Sequence, residues 1–195
     1  MLRNPAAFFS FLRESSLFAH HFSQDQVDGI TRELDAFSKA CWPLAWAACG
    51  LATSYWETGH RMQPVPEAGR GRGKPYGIPD ETGKAPYGRG EVQTTWRSNY
   101  LKMDAALDLG GTLAADYDRM LEPDISTAAL VVGMQRGLFT GCALKDYLHS
   151  DRPGSRTEFI NSRRIINGSD RAAIIADIAL TFQTALQHGV WSTAI

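Results

Sequence analysis

The sequence predicts a mainly α-helical domain with at most a short β-hairpin, and three observations carry that expectation. Apolar residues recur at helical spacing through most of the chain. One stretch, 44–58, is rich in alanine and apolar almost all round, as a buried helix must be. The one segment without any period, 59–90, holds eight glycines and five prolines. With 195 residues, 44% hydrophobic and 21% charged, the composition is globular and suits one domain, 1–195, with room for two lobes.

Taken in order, Asn4-Pro5 reads as an N-cap followed by proline at the first helical position, opening a short helix that carries Phe8, Phe9 and Leu12. Ser23 with Gln26 three residues on is a capping box, and Val27, Ile30, Leu34 and Phe37 then define an amphipathic helix to about Ser38. Pro43 opens the apolar helix, and Gly59 is its stop. The irregular segment 59–90 follows, with a hairpin expected around 74–92. Helical patterning returns over 92–107 and 113–121. Pro123-Asp124 starts a helix that ends near Gly137, and 144–148 is a single turn. The last helix starts around Ser169-Asp170 and carries Ile174, Ile175, Ile178, Phe182 and Leu186.

Composition narrows the classes of partner. Twenty Lys+Arg against 21 Asp+Glu leave a net charge of −1, whereas a protein living on phosphate contacts is usually basic, so nucleic acid is disfavoured. Cys41, Cys49 and Cys142 have no metal-type spacing, and an odd count is no disulfide framework; free thiols in or near a core are expected. Ser10 and Arg13 interrupt any signal-like apolar run, and 44–55 is too short to span a bilayer. The expectation is therefore a protein made in the cytoplasm without a signal peptide and inserted in no membrane, and it is expected to be a monomer. The five histidines are scattered without ligand partners, Gly69-Arg-Gly-Arg-Gly-Lys74 lacks the phosphate-loop pattern, and no nucleophile elbow is present. No metal and no cofactor are implied.

Glu57 is the first candidate for chemistry. Trp46, Gly50, Thr53 and Glu57 share one helical stripe, and a carboxyl at the end of so apolar a helix is partly desolvated, which raises its pKa as a general acid requires. A glutamate in a last helical turn can equally just reach solvent. Glycoside cleavage needs a second carboxylate, and Glu67, Glu81 and Glu91 are available. Glu67 leads because Pro64 and Pro66 stiffen its approach. In the segment from Tyr87 to Tyr100, Gln93, Thr95 and Asn99 offer amides and a hydroxyl suited to sugars, while Trp96 is expected in the core.

Tyr87-Gly-Arg-Gly-Glu-Val-Gln-Thr-Thr-Trp-Arg-Ser-Asn-Tyr100 resembles the signature of family 19 of the glycoside hydrolases, the plant-type chitinases and related phage endolysins. Glu57-Thr58-Gly59 resembles the catalytic-acid motif of that family, with Trp56 where histidine is usual. Ser162-Arg-Arg-Ile-Ile-Asn-Gly168 resembles its arginine-rich Ile-Asn-Gly segment, and Met62-Gln-Pro-Val65 is similar to the phage and prophage lysins. The three motifs stand in order, and the resemblance runs thinly over residues 8–186.

The resemblance implies a lysozyme-like domain of two lobes with a substrate groove, and an inverting hydrolase of β-1,4 bonds in peptidoglycan or, as the alternative, chitin. It implies Glu57 as general acid, Glu67 as the second carboxylate and Thr95 as the residue that holds the attacking water. Gln93, Asn99, Tyr87 and Asn167 would bind substrate, and Arg164 or equally Arg163 would orient a carboxylate. A protein of this kind acts on the cell wall after another factor releases it. A glycan-binding or virion structural module that keeps the groove without the reaction is the competing class.

Overall fold

The computed structural model describes residues 1–18 and 22–193, and among them the chain is mainly α with one two-stranded antiparallel sheet. His20 and His21 lie outside the described residues. Helix α1 (Pro5–Glu14) starts where the sequence places it: Asn4 Oδ1 accepts from the Ala7 amide at 3.1 Å, and Pro5 occupies a position whose N–H would go unused. Helix α2 (Gln24–Lys39) has its capping box closed in both directions, Gln26 N to Ser23 Oγ at 3.2 Å and Ser23 N to Gln26 Oε1 at 2.9 Å.

Helix α3 (Leu44–Glu57) is buried at every residue from 47 to 55. Its main neighbour is α8 (Ala172–His188), which also receives α1 and α7 (Arg156–Ser162). Phe8, Leu51 and Phe182 are wholly excluded from solvent in this larger core, and burial of each such side chain contributes about 1.5–3 kcal/mol.

A second, smaller core gathers Tyr100, Met103, Leu113, Tyr117 and Met120. It is built by α4 (Arg97–Ala106), α5 (Thr112–Ala115), the 3₁₀ turn Tyr117–Leu121 and the start of α6 (Pro123–Arg136). Phe139 packs against both apolar clusters. No helix among the described residues is long and apolar enough to cross a membrane.

Four details differ from the sequence reading. The sheet pairs β1 (Val65–Pro66) with β2 (Arg89–Gly90), so one strand precedes the expected 74–92 interval; two-residue strands are too short to show a period of 2. The 92–107 helix begins only at Arg97, because Arg89 and Thr94 exchange backbone hydrogen bonds (3.1 and 2.9 Å) and fold residues 90–93 into a tight turn. The 113–121 helix is broken at Asp116. Its first part is capped from outside, the Asp104 carboxylate accepting from the amides of Gly111, Leu113 and Ala114 at 2.7, 2.7 and 3.1 Å. Cys41 is exposed on the α2–α3 turn rather than near a core, whereas Cys49 is buried and burial pushes its thiol up to about 11.

Candidate active site

Between the two cores lies an open cleft of about 440 Å³, and the candidate residues of the sequence are distributed along it. Glu57, Glu67, Gln93, Thr95, Asn99 and Asn167 all line it. Tyr87 and Arg164 do not.

Glu57 is the last residue of α3, which buries it on one side and leaves its side chain 16% exposed toward the cleft. Arg163 Nη1 stands 2.7 Å from its Oε1 and is itself nearly sealed from solvent. The approach is off the N–H axis, so the contact is an ion pair rather than an aligned hydrogen bond. Arg163 opens the 3₁₀ turn that follows α7, and its Nε donates to the Asp170 carbonyl at 3.2 Å. Arg164, one residue on, points away: it is exposed and donates to Asn161 Oδ1 at 2.7 Å. Of the two arginines, Arg163 is the one that meets the carboxylate. His60, close to Glu57 in sequence, is an exposed residue stacked on the Tyr55 ring.

Glu67 faces the cleft from the segment just after β1 and is held at both oxygens. The Tyr76 hydroxyl donates to Oε1 and the Gly88 amide to Oε2, each at 3.2 Å, while the Glu67 amide donates to the Gly88 carbonyl at 2.7 Å. Burial, together with the neighbouring Glu67 charge, pushes the Tyr76 hydroxyl up, so it stays a donor at neutral pH.

Gly88 is the point on which this wall converges. A Cβ there would stand 2.9 Å from Gln93 Oε1, 3.2 Å from Thr95 Oγ1 and 3.4 Å from Glu67 Cβ. The Gln93 amide is spent on the carbonyls of Val65 and Gly90, both at 2.9 Å, which ties the turn after β2 to β1. The Thr95 hydroxyl donates to the Gln93 carbonyl at 2.8 Å, and Asn99 closes back onto the Thr95 carbonyl at 2.8 Å. These side chains are therefore fixed before any ligand arrives.

The rival carboxylates lie elsewhere. Glu81 is on the exposed loop surface, paired with Arg97. Glu91 is fully buried beside the cleft wall, 2.8 Å from Arg32 Nη2 and 3.1 Å from the Thr127 hydroxyl. Tyr87 serves Arg89: the buried guanidinium lies 3.5 Å over its ring and donates to the carbonyls of Ala85 and Tyr87 at 3.0 Å and to Asp118 at 2.8 Å. Its place is in the scaffold under the cleft, not on its surface.

Trp96 overturns the core expectation. It is 47% exposed, lines the cleft, and meets Tyr76 edge to face at 5.2 Å. Its backbone φ of 72°, a conformation side chains rarely adopt, turns the indole out at the start of α4. Sequence reasoning also passed over Tyr76, for which an aromatic between glycines in a structured loop was the available signal. Comparison with protein-family models gives no match, and comparison with curated proteins gives none either.

Proposed function

We propose that the chain hydrolyses the β-1,4 glycosidic bonds of peptidoglycan glycan strands, with Glu57 as general acid and Glu67 as general base. The observation that carries this reading is that these two carboxylates, and no other among the described residues, line the same open cleft from opposite supports. Glu57 comes from the end of a buried helix and Glu67 from the segment just after β1, so a sugar chain laid in the cleft meets both.

In the proposed reaction Glu67 takes a proton from a water that attacks the anomeric carbon. The C1–O bond breaks, and Glu57 gives its proton to the departing oxygen. The products are a sugar of inverted anomeric configuration and a free hydroxyl on the other fragment. The water needs a second contact for orientation, and Thr95, beside Gly88 and Glu67, offers its hydroxyl oxygen. Arg163 faces the carboxylate that proton donation leaves on Glu57. Trp96 and Tyr76 present flat apolar faces at the cleft, suited to a pyranose ring.

The reading is tested by clearance of outer-membrane-stripped Gram-negative cells and of purified sacculi with wild type, Glu57→Gln and Glu67→Gln. Clearance by wild type, with both folded variants inactive, is the expected result. If folded wild type releases no reducing ends from sacculi but does so from chitin oligomers, the fold serves the neutral polymer. If it releases none from either, the cleft belongs to a glycan-binding module.

A further inference from the structure

We propose that the loop between Glu67 and Asp80 is a docking surface for the anionic peptide stems of peptidoglycan; the proposal rests on the glycan-cleaving reading and decides its substrate class. Between those two acids the chain carries Arg70, Arg72 and Lys74 and no acidic residue. All three cations are exposed, and none approaches a carboxylate among the described residues. By contrast, Lys84 and Arg89 pair with Asp118, Arg97 with Glu81 and Arg163 with Glu57.

The loop is built rather than slack. Its amides close three successive turns, Arg70 to the Glu67 carbonyl, Arg72 to Gly69 and Lys74 to Gly71, at 3.0, 3.0 and 2.9 Å. Gly69, Gly71 and Gly73 take positive φ, and each is followed by one of the cations. The coil is then locked on itself, because the Gly71 and Gly77 backbones touch: a Cβ on Gly77 would fall 1.9 Å from the Gly71 carbonyl oxygen. The loop reaches the cleft at Glu67 and at Tyr76, which are hydrogen-bonded to each other. The backbone that carries the three cations is thereby held in one conformation in the segment that follows the base.

Charge chemistry selects the ligand. The whole chain carries a net charge of −1 and has no overall attraction for an anionic polymer. A local cluster acts only over a Debye length, about 8–10 Å at ordinary ionic strength. Anions it can serve must therefore hang from the polymer within one or two sugars of the cleft. Chitin carries only neutral acetamides. Peptidoglycan carries a peptide with free carboxylates on every second sugar, which is the spacing and sign the loop can meet.

The test reads binding separately from cleavage. In a Glu57→Gln background, Arg70→Gln/Arg72→Gln/Lys74→Gln is compared with its parent by co-sedimentation with native sacculi and with sacculi whose carboxylates have been amidated. The triple change keeps every glycine, and circular dichroism checks its fold. The expected result is half-saturation about five- to tenfold higher on native sacculi at low salt, a gap that closes at high salt and on amidated sacculi. Arg70→Lys/Arg72→Lys should restore binding. Equal binding of parent and triple variant to native sacculi overturns the proposal, and so does a deficit that survives amidation. Tighter binding of the parent to anionic phospholipid vesicles than to sacculi overturns it as well, by giving the loop to a membrane. Absence of cleavage by wild type alongside the expected binding pattern fails the hydrolase reading and leaves the docking surface standing.

Discussion

The Tyr76 hydroxyl donates to Oε1 of Glu67 at 3.2 Å while its ring meets Trp96 edge to face, so one side chain supports both the carboxylate and the aromatic wall of the cleft. Tyr76→Phe separates the two roles. It removes the donor and keeps the ring, and a hydrogen bond to a charged group is worth about 1.5–3 kcal/mol when sheltered. Because the pair lies in an open cleft, the lower part of that range applies, and kcat on sacculi should fall about tenfold. KM and the melting temperature should stay near wild type. A rise in KM with kcat intact would instead assign the hydroxyl to substrate binding rather than to support of Glu67.

Trp96→Ala should do the reverse. Its indole is half-exposed, makes no side-chain hydrogen bond among the described residues, and offers a face for stacking. Loss of such a contact costs about 1–2 kcal/mol of binding, so KM should rise roughly five- to thirtyfold with kcat little changed. Quenching of tryptophan fluorescence by soluble glycan fragments in wild type, and its loss in the variant, is the direct measurement.

Arg163 and Glu57 form a nearly buried ion pair, 3% and 16% exposed. Removing one member of such a pair leaves the other charge uncompensated, which costs about 3–5 kcal/mol when burial is complete and less at the cleft edge. Arg163→Met should therefore lower the unfolding free energy by about 2–4 kcal/mol and abolish clearance. Glu57→Gln/Arg163→Met should be more stable than Arg163→Met alone. Additive losses in denaturant melts of the double variant would show that the two side chains do not interact.

How much of this was readable beforehand depended on how local each signal is. The starts of α1 and α2 were legible because Asn4, Pro5, Ser23 and Gln26 act within one turn of themselves. Helix α7 was missed although its cap, Ser155 with Glu158, stood in the sequence; only Phe159 and Ile160 are apolar there, too few to show a period. Glu57, Glu67 and Thr95 are legible from helix position, flanking prolines and side-chain chemistry, Asn167 only through its motif, and all four line one cleft. Arg163 and Arg164 could not be told apart, since which of two neighbours faces Glu57 depends on how the 3₁₀ turn leaves α7. Trp96 was misread because composition suggests a buried indole, while a positive φ, invisible in the sequence, turns it outward.

Gly88 predicts a site defect without a folding defect. Any Cβ at this position meets Gln93 Oε1 at 2.9 Å and Thr95 Oγ1 at 3.2 Å, so these hydrogen-bonded side-chain ends must shift by a few tenths of an ångström to admit it. Gly88→Ala should thus cost about 1–2 kcal/mol of stability, yet displace Thr95 and Glu67 enough to cut kcat at least tenfold. Retention of full activity would mean that the wall around Gly88 tolerates movement and that Thr95 is not positioned by it.

The last prediction concerns pH and comes from the polar layer beneath the cleft. Glu33 on α2 is fully buried; Ser54 donates to its Oε1 at 2.5 Å, and its Oε2 has no partner. Burial, and then the charge of neighbouring Glu91, push the Glu33 carboxyl well above the ordinary carboxylate range. Glu91 is also raised by burial, but Arg32 and Thr127 hold it against that, so Glu33 is the member that keeps the proton. A carboxyl with a raised folded pKa binds more protons folded than unfolded. Its stability contribution is complete below the unfolded value of about 4.5 and drains away as pH rises through the folded value. The Glu33 contribution to stability should therefore fall as pH rises above that unfolded value, opposite in sign to that of His60, whose pKa burial lowers. Glu33→Gln, which mimics the protonated form and keeps an acceptor for Ser54, should flatten that slope and melt higher than wild type at pH 8. A Glu33→Gln profile parallel to wild type would place the proton on Glu91 or remove the shared titration altogether.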